Sequence, residues 1–281
     1  MNLFGWQLRG ELRKLFARKR TYLGFGAFVI LEILILGLLQ LPKVKRSFRN
    51  LIESNGYAFE HYFSGLTLAL LILMWTIFFL GALYLALVGG DILSKEVEDG
   101  TMRMMLCRPV SRFRILLVKF LACMLYTVAL IGFIGLTALL AGFVQGGVGG
   151  IFVFAPLEDV FALYEFGPGL LRYAGAVGLL SASLTTVTAL GFLFSCFNMK
   201  PAAATIITLS LFFVDSILRN VPYFESIKAF FLTAHMAAWI HVFDSHVSWT
   251  RLIEHYAVLF ALNATFFVIG WLAVESRDFK S

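Results

Sequence analysis

Residues 66–90 read LTLALLILMWTIFFLGALYLALVGG, without one charged side chain. A helix rises about 1.5 Å per residue, so such a run crosses the roughly 30 Å hydrocarbon core of a bilayer. It has no polar face to present to water, which a soluble surface helix requires. Comparable runs lie at 21–41, 115–145, 170–197, 201–218 and 255–274. The chain is therefore expected to be an all-α polytopic membrane protein with six transmembrane helices, one transmembrane domain over 1–281. Composition agrees: 60% of the residues are hydrophobic and 14% are charged, where soluble domains carry about 25% charged residues.

The run at 21–41 exceeds the roughly 7–15 residues of a signal-peptide core, and LPKVKR follows it without a small-x-small cleavage site. It reads as a retained anchor. Asn198, Met199, Lys200 and Pro201 join the fourth and fifth runs, and Pro201 at a first helical position suits a tight turn there. Orientation follows from basic residues near span ends. With the N-terminus inside, fourteen Lys and Arg fall on the inner side and seven on the outer side. The outer cluster Lys43, Lys45, Arg46 and Arg49 argues the other way. Both termini are expected to be cytoplasmic. The net charge of +6 then reflects topology, and no nucleic-acid partner is expected.

This topology leaves one sizeable inner loop, GDILSKEVEDGTMRMMLCRPVSRFR at 90–114, with five basic and four acidic side chains. Asp99-Gly100 should break the preceding helix, Thr101 can cap a short one with Met102, Met105 and Leu106 on one face, and Arg108-Pro109 should end it. Ser111 can cap the helix that follows. The stretch 94–112 thus reads as a shaped elbow. A solvated loop that only fixes topology is the plainer alternative. Residues 1–20 place Leu8, Leu12, Leu15 and Phe16 opposite Arg9, Arg13, Lys14 and Arg18, which predicts an interfacial amphipathic helix.

The outer segment 219–254 is neither apolar enough to span nor polar enough to be a free loop. KAFFLTAHMAAWIHVF within it predicts an amphipathic helix at, or re-entering, the outer interface, with Trp239 and Trp249 as belt residues. His235, His241, His246 and His255 invite a metal reading, but their spacing gives no shared helical face and no Cys or carboxylate pair completes a site. No resident metal or cofactor is expected in this chain. Cys107, Cys123 and Cys196 read as unpaired thiols. Ser181 and Ser183 in GLLSASLTT read as small residues for helix packing, not nucleophiles. Glu32 is the one acid well inside a span, and lines a substrate path or forms a helix–helix contact.

The run Glu96-x-Glu98-x-Gly100-Thr101-Met102, with Leu106, Pro109-Val110-Ser111-Arg112 and Lys119 after it, resembles the signature of ABC-2-type transporter permeases. These are the membrane subunits of ATP-binding-cassette exporters. An N-terminal interfacial helix, six spans and the ending Glu275-Ser276-Arg277-Asp278-Phe279 extend the likeness over the chain. The resemblance implies a cytoplasmic coupling helix between spans 2 and 3 that docks on a separate ABC ATPase, where ATP-Mg would bind. No G-x-x-x-x-G-K-[ST] phosphate loop occurs in the sequence. Carried over by position, Glu96, Glu98, Gly100, Thr101, Met102 and Arg103 would form the docking helix, and Arg108, Pro109, Ser111 and Arg112 its return. Two ATPases and a second permease copy in a bacterial cytoplasmic membrane are the implied assembly. A membrane enzyme is disfavoured by the missing intramembrane nucleophile or ligand set. A non-transporting anchor or force-transmitting subunit of an envelope complex would look the same in sequence.

Overall fold

The computed structural model describes residues 3–102 and 110–276. An amphipathic helix, α1 (Leu3–Phe16), leads into the first long apolar helix, α2 (Lys19–Leu39). Two shorter helices follow, α3 (Pro42–Ser54) and α4 (Phe59–Tyr62). The second long element joins α5 (Gly65–Thr76), a π-helical turn at Ile77–Gly81 and α6 (Ala82–Glu98). The remaining long helices are α7 (Arg112–Gly146), α8 (Phe166–Cys196), α9 (Pro201–Arg219) and α11 (Trp249–Glu275). Among the described residues, six helices are long and apolar enough to cross a membrane, which makes the protein an all-α, multi-pass membrane protein.

The chain alternates between two ends of this bundle. One end, the elbow face, carries α1, the end of α6, the start of α7, the turn between α8 and α9 and the end of α11. The other end, the hairpin face, carries the 42–62 segment and two strands, β1 (Ile151–Ala155) and β2 (Val160–Tyr164). These pair antiparallel, Ile151 with Tyr164 through Ala155 with Val160. Their aromatic and β-branched residues favour a strand, and Asp159 takes the left-handed conformation in the connection at φ 55°.

Helix α8 is the centre of the bundle, with 67% of its apolar stretch buried, whereas α9 has only 11% buried. Close approach explains the contact of α6 with α8. A Cβ at Gly89 would lie 2.5 Å from the Thr188 carbonyl oxygen and 3.2 Å from the Gly191 Cα, so the two backbones touch. The threonine hydroxyls Thr127 and Thr188, 2.8 Å apart, bond α7 to α8 inside the bundle. Each also needs a partner, because hydrocarbon offers none.

The second and third spans outrun the bilayer. The Gly65–Glu98 stretch of 34 residues is about 51 Å long at 1.5 Å per residue, well beyond the hydrocarbon thickness. Residues 94–98 are therefore the last turns of a continuous helix. This corrects the expectation that Glu96 and Glu98 belong to a separate docking helix: α6 stops only after them, at Asp99-Gly100. The turn between the fourth and fifth spans has Lys200 extended as the N-cap residue and Pro201 at the first helical turn.

A single amphipathic helix over 228–243 is also corrected. Residues Pro222–Phe230 form 3₁₀ turns, α10 (Leu232–Met236) is a short helix, and Ala237–Phe243 returns to 3₁₀ geometry, with a bend of 69° between the two halves. The break is set from a neighbouring helix. The Asp215 carboxylate accepts from the backbone N–H of Leu232 at 3.0 Å and of Thr233 at 2.8 Å, capping α10 from another helix. Phe231 is held extended at ψ 135° as a result.

Candidate functional site

The elbow is built from residue chemistry at three helix ends. Gly100 takes φ +70°, a left-handed position that glycine occupies without strain, and its N–H bonds the Val97 carbonyl at 3.1 Å. Thr101 donates its hydroxyl to the Glu96 carbonyl at 3.2 Å and, with Met102, is helical again. Arg103, Arg108 and Pro109 lie outside the described residues. On the return, the Ser111 hydroxyl accepts from the Arg114 N–H at 3.4 Å and caps α7. The Arg112 guanidinium donates to the carbonyls of Val274 and Glu275 at 3.1 Å each, a cation on the negative end of α11.

Below the tip sits a buried ion network. The Lys119 ammonium, 1% exposed, lies 2.7 Å from Glu96 Oε2 and 3.1 Å from Glu11 Oε2. Lys14 pairs with the other Glu96 oxygen. Two carboxylates and two ammonium groups cancel, which is the condition for burying any of them. Arg114 adds a bond from its Nε to the Gln7 side-chain oxygen at 2.9 Å. The network ties α1, α6 and α7 into one unit.

The predicted elbow residues therefore divide. Glu98 and Gly100 are exposed at the tip beside Asp99. Glu96 and Met102 face inward, at 3% and 1% exposure, as parts of the mount. Lys119 was legible only as a member of the resemblance, and its partner Glu11 was missed. The available signal was that Glu11 is the one acid in the basic segment 3–20.

Glu32 sits elsewhere, 2% exposed, accepting from the Thr137 hydroxyl at 3.0 Å across the contact of α2 with α7. It does not border the main apolar chamber. That chamber, about 620 Å³, opens in the hairpin half of the bundle, lined in part by Leu70, Trp75, Phe78, Phe152, Leu184 and Met236. The π turn runs along its wall.

Polar side chains tie together the hairpin-face segments next to this chamber. Arg219 pairs with Glu158 beyond β1 and donates to the Thr233 carbonyl at 2.8 Å. Arg172 donates to the Asp244 carbonyl at 2.6 Å and lies over the Tyr164 ring at 4.1 Å, while Tyr164 donates to the Phe243 carbonyl at 2.7 Å. Burial pushes the Tyr164 phenol up from its ordinary pKa, against the Arg172 charge. Of the four histidines, His235 and His255 face each other at 2.8 Å, and His241 meets Asp244 at 3.1 Å. Among the described residues, no group of three or more His, Cys, Asp or Glu is placed to hold a metal ion. Cys123 and Cys196 are buried free thiols, and Cys107 lies outside the described residues.

Residues 10–270 match the family described as ABC-2 family transporter protein. The chain belongs to the ABC-2 transporter family. It is therefore the membrane subunit of a transporter, working in a lipid bilayer with ABC ATPase subunits. The ABC-2 chain is also similar to the uncharacterized protein YhcI of Bacillus subtilis (strain 168), with 21% identity over 242 residues, covering 81% of this chain and 71% of that one. The family match takes in the elbow, the ion network and every residue named on the chamber wall.

Proposed function

We propose that the protein is the permease subunit of an exporter in a bacterial cytoplasmic membrane, with the elbow face and both termini in the cytoplasm. Two copies and two separate ATPases form the working assembly. Each ATPase engages the tip around Glu98, Asp99 and Gly100 together with Arg103, Arg108 and Pro109, and ATP-Mg binds on the ATPase alone. The observation that carries this reading is the mount: Glu96 and Lys119 are buried against Glu11 and Lys14, so a push on the tip moves α1, α6 and α7 together. A loop that merely fixed topology would need no such network.

The stroke reaches the chamber through the π turn at Ile77–Gly81, where the changed hydrogen-bond spacing lets α5 and α6 shift relative to each other. The chamber's apolar wall favours a substrate with a large hydrophobic part, entering from the bilayer. The sparsely buried α9 provides the surface for the second copy.

Co-expression with the cognate ATPase tests the proposal. Reconstituted wild type should raise ATP turnover of the ATPase over that of the ATPase alone, and Glu98→Arg should abolish the increase. Turnover unchanged by Glu98→Arg would remove the docking claim. Normal coupling with no vectorial movement of any hydrophobic probe would favour a force-transmitting subunit instead.

A further inference from the structure

A second feature of the elbow face is independent of whether an ATPase docks there. Beside the tip, between the end of α1, the start of α2 and the end of α6, lies a cleft of about 400 Å³. Its wall carries Lys14, Arg18, Lys19 and Lys95 against Glu96 and Asp99. The Glu96 charge is already answered by Lys14 and Lys119. Among the described residues, none of the ion pairs uses Arg18, Lys19 or Lys95. Three cations thus converge on one concavity, and among its described lining residues Asp99 is the acid outside the ion pairs.

Depth decides what such a site can hold. Lys19 is the first residue of α2, and the apolar stretch of that helix begins at Thr21, so the cleft lies where lipid headgroups lie. Immediately past it, Tyr22 and Leu23 are 69% and 74% exposed, an open apolar strip along which acyl chains can run. A soluble anion would use the cations and leave that strip uncovered. We propose that this cleft binds the phosphate-bearing headgroup of one anionic phospholipid, gripped by Arg18, Lys19 and Lys95, with its chains along α2. Arginine and lysine supply charge-assisted bonds to phosphate oxygens, and basic pockets at the ends of spanning helices are suited to such headgroups. The bound lipid would touch α1, α2 and α6 at once, bridging the interfacial helix to the base of the elbow.

The test uses the full chain in nanodiscs of equal phosphatidylglycerol and phosphatidylcholine, followed by native mass spectrometry of the released protein. One phosphatidylglycerol per chain should be retained over phosphatidylcholine by about a hundredfold, since each of the three basic side chains contributes on the order of fivefold. Arg18→Gln with Lys19→Gln and Lys95→Gln should erase that preference, and Lys19→Gln alone, at an exposed position, should weaken it. Arg9→Gln with Arg13→Gln, two exposed charges of α1 outside the cleft, should leave it intact. Equal retention of the two lipids would overturn the proposal. So would equal loss in the cleft and control variants, which would indicate diffuse surface charge. Displacement of the retained lipid by millimolar inorganic phosphate would also overturn it, assigning the cleft to a soluble anion.

Discussion

A lysine at 1% exposure can stay charged only if its surroundings return what hydration gave it, and Lys119 has Glu96 and Glu11 within 3.1 Å to do so. Lys119→Met should therefore cost on the order of 3–5 kcal/mol, because Glu96 and Glu11 are left to share the single cation of Lys14, which is itself partly exposed. The readout is a lower melting temperature in detergent. Adding Glu96→Leu should restore part of the loss, a coupling that a double-mutant cycle measures directly; strictly additive effects would show that the pair does not interact. Gly100 gives a second residue-scale prediction. Its φ of +70° is closed to proline and strained for alanine, so Gly100→Ala should cost about 1 kcal/mol and Gly100→Pro should disrupt the tip. The Asp99-Gly100 break and the Ser111 cap could be read from the sequence because each acts within a turn of itself. Glu96 could be named but not placed: its partners stand 82 residues before it, at Lys14, and across the loop at Lys119. Nothing local signals an ion pair of that range.

At the scale of elements, the long apolar helices declare themselves through composition alone, since lipid demands twenty or so apolar residues in sequence. Their ends do not. Helix α6 continues to Glu98 with Glu96 in its last turns paired to Lys14 of α1 and Lys119 of α7, and that pairing is a tertiary fact. The hairpin of β1 and β2 and the bent outer segment were illegible for a related reason. Asp215 breaks the helix over 228–243 from 17 residues away. Asp215→Ala should free the Leu232 and Thr233 N–H groups and loosen this segment, costing about 1–2 kcal/mol as for other lost caps, seen as faster hydrogen exchange confined to 222–243. Exchange unchanged there would mean the segment is held by Arg219 and Arg172 alone. The π turn makes a sharper case. Deleting Phe79 should convert Ile77–Gly81 to ordinary α-helix and leave α5 and α6 in phase, because a π turn holds one residue more than an α turn. ATPase binding should survive the deletion while coupled turnover is lost; retained coupling would remove the π turn from the mechanism.

For the whole molecule, function rests on a division between the two faces. The hairpin face holds an apolar chamber next to polar latches, and the elbow face holds a rigidly mounted tip. The bundle sets α1, the tip and the end of α11 on the same side, and the excess of basic residues there makes it the side expected to face the cytoplasm. The docking proposed above places a separate ATPase on that tip. The most direct measurement is site-specific photo-crosslinking in membranes that contain both proteins, with the photoreactive residue introduced at position 98 or, as the opposite pole, at position 223, which is 85% exposed on the hairpin face. A permease–ATPase adduct is expected from position 98 and none from position 223. An adduct from position 223 with none from position 98 would contradict both the docking site and the orientation.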